Sequence, residues 1–410
     1  MTSTRYENYK PSGIDWIAEI PDHWKIKKFK HLFRIKKEIV GELGHEVLSI
    51  TQKGVKVKDI ESGEGQISSD YTKYQLVAAG DFAMNHMDLL TGYVDISPFD
   101  GVTSPDYRVF RLEDRNAYNR YYLYLLQLCY AHKIFFPYGQ GAAQVGRWRL
   151  PADAFKEFFA PYPDIEEQRA IVAFLDFELS RIDDLLSECH RLVQLLSEKR
   201  KSLIDVAMND KNTEKVRLQF CTRTISREIN RQDETLYEPI GVLNRGRGLF
   251  HKNKVLGKDL GSSTFFHVEP GDLIISGQFA WEGSVAIAGE SEAGCIVSHR
   301  YPVLRGVESL DTTFLWAYFT TREGDFVLNQ HSNGAAGRNR PLNLSSLLKE
   351  KVPVPPKELQ KPVIEIVKKE IRLRDQVKEI ESFIREHKTS LINSAVTGKI
   401  DVRNYKQEAA

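Results

Sequence analysis

Over residues 164–208 the apolar side chains alternate four and three apart: Val172, Leu175, Leu179, Ile182, Leu186, Cys189, Val193, Leu196, Arg200, Leu203 and Ala207. This is a heptad seam with one charged interruption, at Arg200. At about 1.5 Å per residue, a helix of roughly 44 residues is about 65 Å long, far beyond an ordinary globular helix. A seam of that length needs a partner. The chain offers one at 356–396, where Val363, Ile366, Glu370, Leu373, Val377, Ile380, Ile384, His387, Leu391 and Ser394 keep the same spacing more weakly. Glu370, His387 and Ser394 are polar intrusions that could set register or face a partner.

Both helices have readable starts. Prolines at 161, 163, 353, 355 and 356 bias their predecessors away from the α region. Asp164 can cap the first helix, with Glu166 and Glu167 in its favourable first turn, and Gly398 is a natural residue to follow the second.

The chain is internally duplicated at an offset of about 190 residues. Gln52-Lys53-Gly54 falls on Asn244-Arg245-Gly246, and Gly80-Asp81-Phe82 on Gly271-Asp272-Leu273. SPDYRV at 104–109 falls on SHRYPV at 298–303, PDIEEQ at 163–168 on PPKELQ at 355–360, and Ser202-Leu203-Ile204 on Ser390-Leu391-Ile392. The unit is a module of roughly 150 residues followed by a long helix, present twice. Short strand-like pieces at 47–51, 93–96, 107–112, 273–276, 285–288 and 301–304 precede helical patterns at 118–131 and 313–321, so each module reads as α+β. The boundaries fall at 1–163 and 210–355 for the modules, 164–209 and 356–397 for the helices, and 398–410 for a tail.

Lys and Arg number 57 against 56 Asp and Glu, a formal charge of +1, so an anionic partner must be met by local clusters such as KIKKFKHLFRIKK at 25–37. Cys129, Cys189, Cys221 and Cys295 show no CxxC or Cys/His ligand spacing, which suggests neither a zinc site nor a disulfide framework. The most apolar run, 121–136, is short and broken by Gln127, His132 and Lys133, and the first residues lack a signal-like apolar stretch. A cytoplasmic protein without a membrane span is the expectation. No phosphate loop, dinucleotide fingerprint, HExxH or GxSxG occurs. The Pro-Tyr-Pro-Asp at 161–164 lacks the leading Asn or Asp of an amino-methyltransferase motif, and its repeat partner is PVPP, so it reads as a helix start.

Several phrases in this duplicated frame resemble one family. YKPSGIDWIAEIPDHW at 9–24, PYPDIEEQRAIVAFLD at 161–176, PVPPKELQ at 353–360, KSLIDVAM at 201–208 and TSLINSAVTGKIDV at 389–402 are together similar to the specificity subunit of type I restriction-modification systems. The resemblance implies two repeated α/β target recognition domains separated by two long antiparallel α-helices, a coiled coil, in a circular pseudo-twofold organisation. It implies a double-stranded DNA partner read as two half-sites. Two modification (methyltransferase) subunits would bind S-adenosylmethionine and methylate adenine, and restriction (endonuclease/translocase) subunits would join them. This chain would hold no catalytic group, no metal and no cofactor.

Base edges are read by groups such as Arg or Lys on guanine and Asn or Gln on adenine, while phosphate contacts fix position. Three segments rich in such groups recur in both modules, and two of them nominate residues for DNA contact. TQKGVKVK at 51–58 matches NRGRGLFHKNK at 244–254, which nominates Gln52, Lys53, Lys56, Asn244, Arg245 and Arg247. GQGAAQVGRWR at 139–149 matches SNGAAGRNR at 332–340, which nominates Gln144, Arg147 and Arg149 with Asn333, Arg338, Asn339 and Arg340. Trp148 suits a core or loop anchor, and Tyr107-Arg108 with Arg300-Tyr301 suit a packed or ion-paired role. The competing reading of these loops is an ordinary solvated surface whose cations pair with carboxylates, worth little energetically. For the whole chain the alternative is a coiled-coil scaffold whose modules bind proteins or ligands, which the near-zero net charge favours. Half-sites on one face of B-DNA would lie roughly 10 base pairs apart, with the helices as ruler.

Overall fold

In the computed structural model of the chain, residues 5–59, 70–141, 148–334 and 340–405 are described. The chain folds as two compact units, Met1–Leu186 with Ile380–Ala410, and Ser187–Glu379. Each unit holds one module and a stretch of both long helices, Ile165–Met208 and Lys357–Val396. The architecture is α+β, and no described helix is long and apolar enough to cross a membrane.

The four-stranded sheets of the two modules match strand for strand. In the first, a four-stranded antiparallel sheet runs in the order Phe33–Lys36, Arg108–Leu112, Phe82–Met84, Val94–Ile96. In the second the order is Thr222–Ile225, Val303–Gly306, Leu273–Ile275, Val285–Ile287. Each sheet is joined by a hairpin, Leu48–Thr51 with Gly54–Val57 and Ile240–Val242 with Leu249–His251. One apolar helix backs each sheet: Asn119–Ala131 buries Tyr121, Tyr122, Leu125 and Leu126, and Thr312–Phe319 buries Phe314 to Phe319. A buried carboxylate ties each sheet's strands. Asp81 accepts from Lys36 at 2.6 Å, Arg111 at 2.7 Å and the Ala78 amide at 3.0 Å. Asp272 accepts from Arg227 at 2.7 Å, Arg305 at 2.6 Å and the Glu269 amide at 2.9 Å.

The matched PDIEEQ and PPKELQ phrases have a shared physical purpose. Gln168 is fully buried; its oxygen accepts the Tyr118 amide at 2.7 Å and its nitrogen donates to Asn116 O at 3.2 Å and Pro163 O at 2.9 Å. Gln360 does the same with the Asp311 amide at 2.9 Å, Ser309 O at 2.9 Å and Pro355 O at 2.7 Å. In both places one satisfied carboxamide locks the first turn of the long helix to the start of the sheet-backing helix. Asp164 caps the first long helix by accepting the Glu167 amide at 2.8 Å. The second ends at Gly398, whose φ of +76° and contact with Pro21 and Trp24 leave no room for a side chain.

Within each unit the helix stretches pack antiparallel. In the first, Val172 and Leu175 share a core with Ala395 and Val396, and Asp183 pairs with Lys388. In the second, Ile204 and Ala207 share a core with Val363 and Val367, and Arg200 pairs with Glu370. The seam of the first helix follows the sequence spacing, with Ile182, Leu186, Cys189, Val193 and Leu196 half-buried between exposed neighbours. The second seam departs from the sequence spacing at two positions, Ile380 and His387, where the next residue takes the inner place. Val363, Glu370, Val377 and Ile384 face inward as expected, but Ile380 is 39% exposed and His387 is exposed, while Glu381 and Lys388 are half-buried. Long polar side chains can cover the partner helix with their methylenes while their heads reach water or a counter-ion, and Lys388 does so on its way to Asp183.

Candidate nucleic-acid interface

The hairpin of the first module turns through Gln52 and Lys53. Leu48, Ile50 and Val55 point into a small core, so alternation places Lys56, paired with Ser49, on the exposed side. Gly54, at a φ of +91°, lets the turn close over Asp95, whose carboxylate accepts the Val55 amide at 3.2 Å. Gln52 Nε2 donates to Thr91 O at 3.4 Å, and the side chains of Lys53 and Lys56 are exposed.

The second segment is closed at its base by paired backbone bonds between Gln140 and Arg149, at 2.8 and 3.0 Å. Arg149 is exposed; Gln144 and Arg147 lie outside the described residues. Trp148 anchors the loop: its Nε1 donates to Phe136 O at 2.7 Å, and its ring lies against Phe136 and Gly139. Below it, Arg108 is buried and donates to Leu150 O at 2.8 Å. Burial pulls the Arg108 guanidinium down to about 10, so it stays charged at neutral pH. Burial, with help from Arg108 and Arg149, pushes His86 down to about 4 and keeps it neutral.

In the second module the hairpin tip is a longer loop in which Leu243 N bonds Gly248 O at 2.9 Å. Arg245 takes a φ of +55°, held by its amide donating to Glu282 O at 2.9 Å, and the next amide, of Gly246, donates to Gly283 O at 2.9 Å. Asn244 bonds Glu282 Oε2 at 3.3 Å and receives Arg247, leaving the Arg245 and Arg247 side chains exposed. Asn333 and Arg340 are also exposed, and Arg340 lies over the Trp281 ring at 5.1 Å; Arg338 and Asn339 lie outside the described residues.

Each module therefore brings its two segments to one further loop, which sequence reasoning missed. In the first module residues 85–92 receive Gln52 at Thr91 O, bond Leu89 N to Trp148 O at 3.0 Å, and bond Leu150 N to His86 O at 2.9 Å. In the second, residues 277–283 receive Asn244 and Arg245 at Glu282, carry Arg340 on Trp281, and accept Leu342 N at Gly277 O at 2.8 Å. The only available signal was position, since both loops follow the strand of the matched Gly-Asp-Phe and Gly-Asp-Leu phrases. The third loop also presents Leu90, 45% exposed, and Gln278 with Phe279, 43% exposed.

Charge pairing separates these loops from the basic run at 25–37. In that run Lys27 pairs with Asp114, Lys28 and Lys30 with Glu157, Arg34 with Glu113 and Lys36 with Asp81. Among the described residues no carboxylate forms an ion pair with Lys53, Lys56, Arg149, Arg247 or Arg340. Unneutralised cations thus gather on the converging loops, as a phosphate-facing surface requires.

Parts of this sequence and fold are similar to known proteins. Residues 21–188 match the family described as type I restriction modification DNA specificity domain. A curated relative from Methanocaldococcus jannaschii, which bears the name type I restriction enzyme MjaX specificity subunit, is 21% identical over 213 residues. That match takes in 48% of this chain and 48% of the relative, so the chain spans about half the length of the curated relative it matches. A chain solved in a study of complex assembly and conformational transition of the type I R-M system shares the fold at a TM-score of 0.57 and 15% identity, covering 93% of this chain and 99% of that one. The crystal structure of an HsdS subunit from Thermoanaerobacter tengcongensis aligns at a TM-score of 0.48 and 14% identity over 93% and 98% of the two chains.

Proposed function

We propose that the chain, whose residues 21–188 match the type I restriction modification DNA specificity domain, is the DNA sequence-specificity subunit of such a complex, reading a bipartite, asymmetric target with one half-site per module. The observation that carries this reading is the repeated convergence: in each module, two segments that carry Arg or Lys without an ion-pair partner among the described residues meet on a third loop. The lengths and side chains of the loops differ, TQKGVKVK against NRGRGLFHKNK, so the half-sites should differ too.

In this reading Gln52, Lys53, Lys56, Gln144, Arg147 and Arg149 serve one half-site. Asn244, Arg245, Arg247, Asn333, Arg338 and Arg340 serve the other. Adenine methylation belongs to two modification subunits, which would carry S-adenosylmethionine, and cleavage to restriction subunits; this chain positions them. Exposed apolar side chains on the long helices support docking there: Leu185 and Phe383 in the first unit, Leu192 and Leu195 in the second, each 49–69% exposed.

Mapping methylated adenines in DNA from cells that express the chain with its modification subunit tests the proposal. It predicts an interrupted motif with two dissimilar halves. A single continuous motif, or no motif, would refute it.

A further inference from the structure

We infer that Glu238, His251 and Cys295, at the base of the second module's hairpin, bind a divalent transition-metal ion of the zinc type. Strand pairing brings them together from distant positions in the chain. His251 ends the strand Leu249–His251 opposite Ile240, two residues after Glu238. Cys295 precedes the strand Ile296–Ser298, whose first amide donates to Glu238 O at 3.0 Å. The three candidate ligand atoms lie within 4.8 Å of one another: His251 Nδ1 is 2.8 Å from Glu238 Oε1 and 4.0 Å from Cys295 Sγ. A tetrahedral ion with bonds of about 2.0–2.3 Å separates its ligand atoms by roughly 3.3–3.8 Å. The two His251 distances lie within about 1 Å of that range, and the Glu238–Cys295 separation, at most 4.8 Å, within about 1.5 Å.

The imidazole is also held as a ligand should be. With Nδ1 aimed at the other two groups, Nε2 lies 3.1 Å from Glu292 Oε1. Glu292 is fixed in turn by the Gly289 amide at 2.6 Å and the Ser291 hydroxyl at 2.7 Å. A carboxylate behind a ligating histidine sets its tautomer and raises its basicity. The mixed nitrogen, sulfur and oxygen donors favour zinc-type ions over magnesium or calcium, which take oxygen ligands.

The first module has the same strands without the site. There the amide of Val102 donates to Glu46 O at 2.8 Å and Val57 pairs with Leu48, so the matching positions are Glu46, Val57 and Gly101. Only the carboxylate is present. The ion would clasp the foot of the hairpin that carries Asn244, Arg245 and Arg247, and it would do so in one module only.

Cobalt(II) chloride titrated into the chelator-stripped full-length chain tests this. The expected result is a thiolate-to-cobalt charge-transfer absorption that saturates at one cobalt per chain and is displaced by zinc. Cys295→Ser should abolish the band, Cys189→Ser should leave it, and Glu238→Gln should weaken cobalt binding at least about tenfold. Should Cys295→Ser fail to fold, Glu238→Gln and His251→Gln decide, read as cobalt affinity with circular dichroism checking the fold. No band, a band unaffected by Cys295→Ser, or unchanged affinity in both other variants would overturn the site. The readout needs no DNA, so its failure is distinct from failure of the recognition reading.

Discussion

Arg200, the one charged residue in the first helix's seam, places its Nε 2.7 Å from Oε2 of Glu370, the first polar residue in the second helix's seam. The two interruptions answer each other. Glu370 is 1% and Arg200 5% exposed, and the pair does not stand alone: Arg374 binds the other oxygen of Glu370 at 2.7 Å, and the Arg200 guanidinium lies 5.1 Å over the Trp316 ring. Arg374 also reaches Gly246 O at 3.4 Å, within the loop that holds Arg245 and Arg247. The same carboxylate thus sets helix register and stiffens a candidate DNA-reading loop.

Breaking that pair from one side should be costly. Glu370→Gln or Arg200→Met leaves a buried charge uncompensated, and the expected loss is about 3–5 kcal/mol. The joint replacement Arg200→Met with Glu370→Leu should recover most of it. Urea unfolding of the three variants checks this, and a double variant no more stable than either single one would count against the argument.

Asp81 gives a pH dependence with a definite sign. Burial works to raise its carboxyl, but Lys36, the Ala78 amide and Arg111 outweigh it and hold it below the usual carboxylate range. A depressed folded-state value contributes stability above the unfolded value of about 3.9, and that contribution is lost as the pH falls through the folded value. Asp81→Asn should cost about 1.5–3 kcal/mol at neutral pH and less as acid is added. Stability curves for the two proteins that stay parallel from pH 7 to pH 3 would contradict this.

Recognition should be divisible by module. Arg245→Ala or Arg247→Ala is expected to weaken binding of the assembled complex by about 1–3 kcal/mol if the guanidinium reads a base, with relaxed selectivity in one half-site only. Gln52→Ala and Lys53→Ala should affect the other half. A cation that meets phosphate instead should lower the salt slope by about one without changing selectivity. Competition binding against oligonucleotides altered in either half separates these outcomes.

The glutamine clamps should behave as twins. Gln168→Ala and Gln360→Ala each leave one amide and two carbonyls without their side-chain partner, and each should destabilise its own unit by about 1–3 kcal/mol. Hydrogen exchange at the Tyr118 and Asp311 amides is the local readout. Protection retained at both would show that the clamps are dispensable.

Much of the fold was legible because the repeat is marked by residues with strict backbone or bonding demands: the glycine before Asp81 and Asp272, the prolines before each long helix, and Gln168 with Gln360. The second seam departs from its spacing at two positions because counting apolar residues ignores the methylenes of Glu381 and Lys388, which lie where Ile380 and His387 are expected. The hairpin and its neighbouring loop could be nominated from their cations and amides. The third loop could not, since NHMDLLTG at 85–92 and GQFAWEG at 277–283 share little, and each meets its partners largely through backbone carbonyls. Glu238, His251 and Cys295 escaped for a related reason: cross-strand pairing, which short-range spacing cannot see, assembles them.

The division of the chain into Ser187–Glu379 and a unit built from both ends has a consequence for biosynthesis. The contiguous unit leaves the ribosome whole and can close its core while the rest is still being made. The other cannot, because Ala395, Val396 and Val402 belong to its core, and the Tyr121 hydroxyl donates to Val396 O at 2.9 Å. Sequence separations such as the 275 residues between Tyr121 and Val396 make these contacts slow to form. The first module must therefore wait, incompletely packed, for residues 395–402 to emerge, and that interval is when chaperones and proteases can act on it.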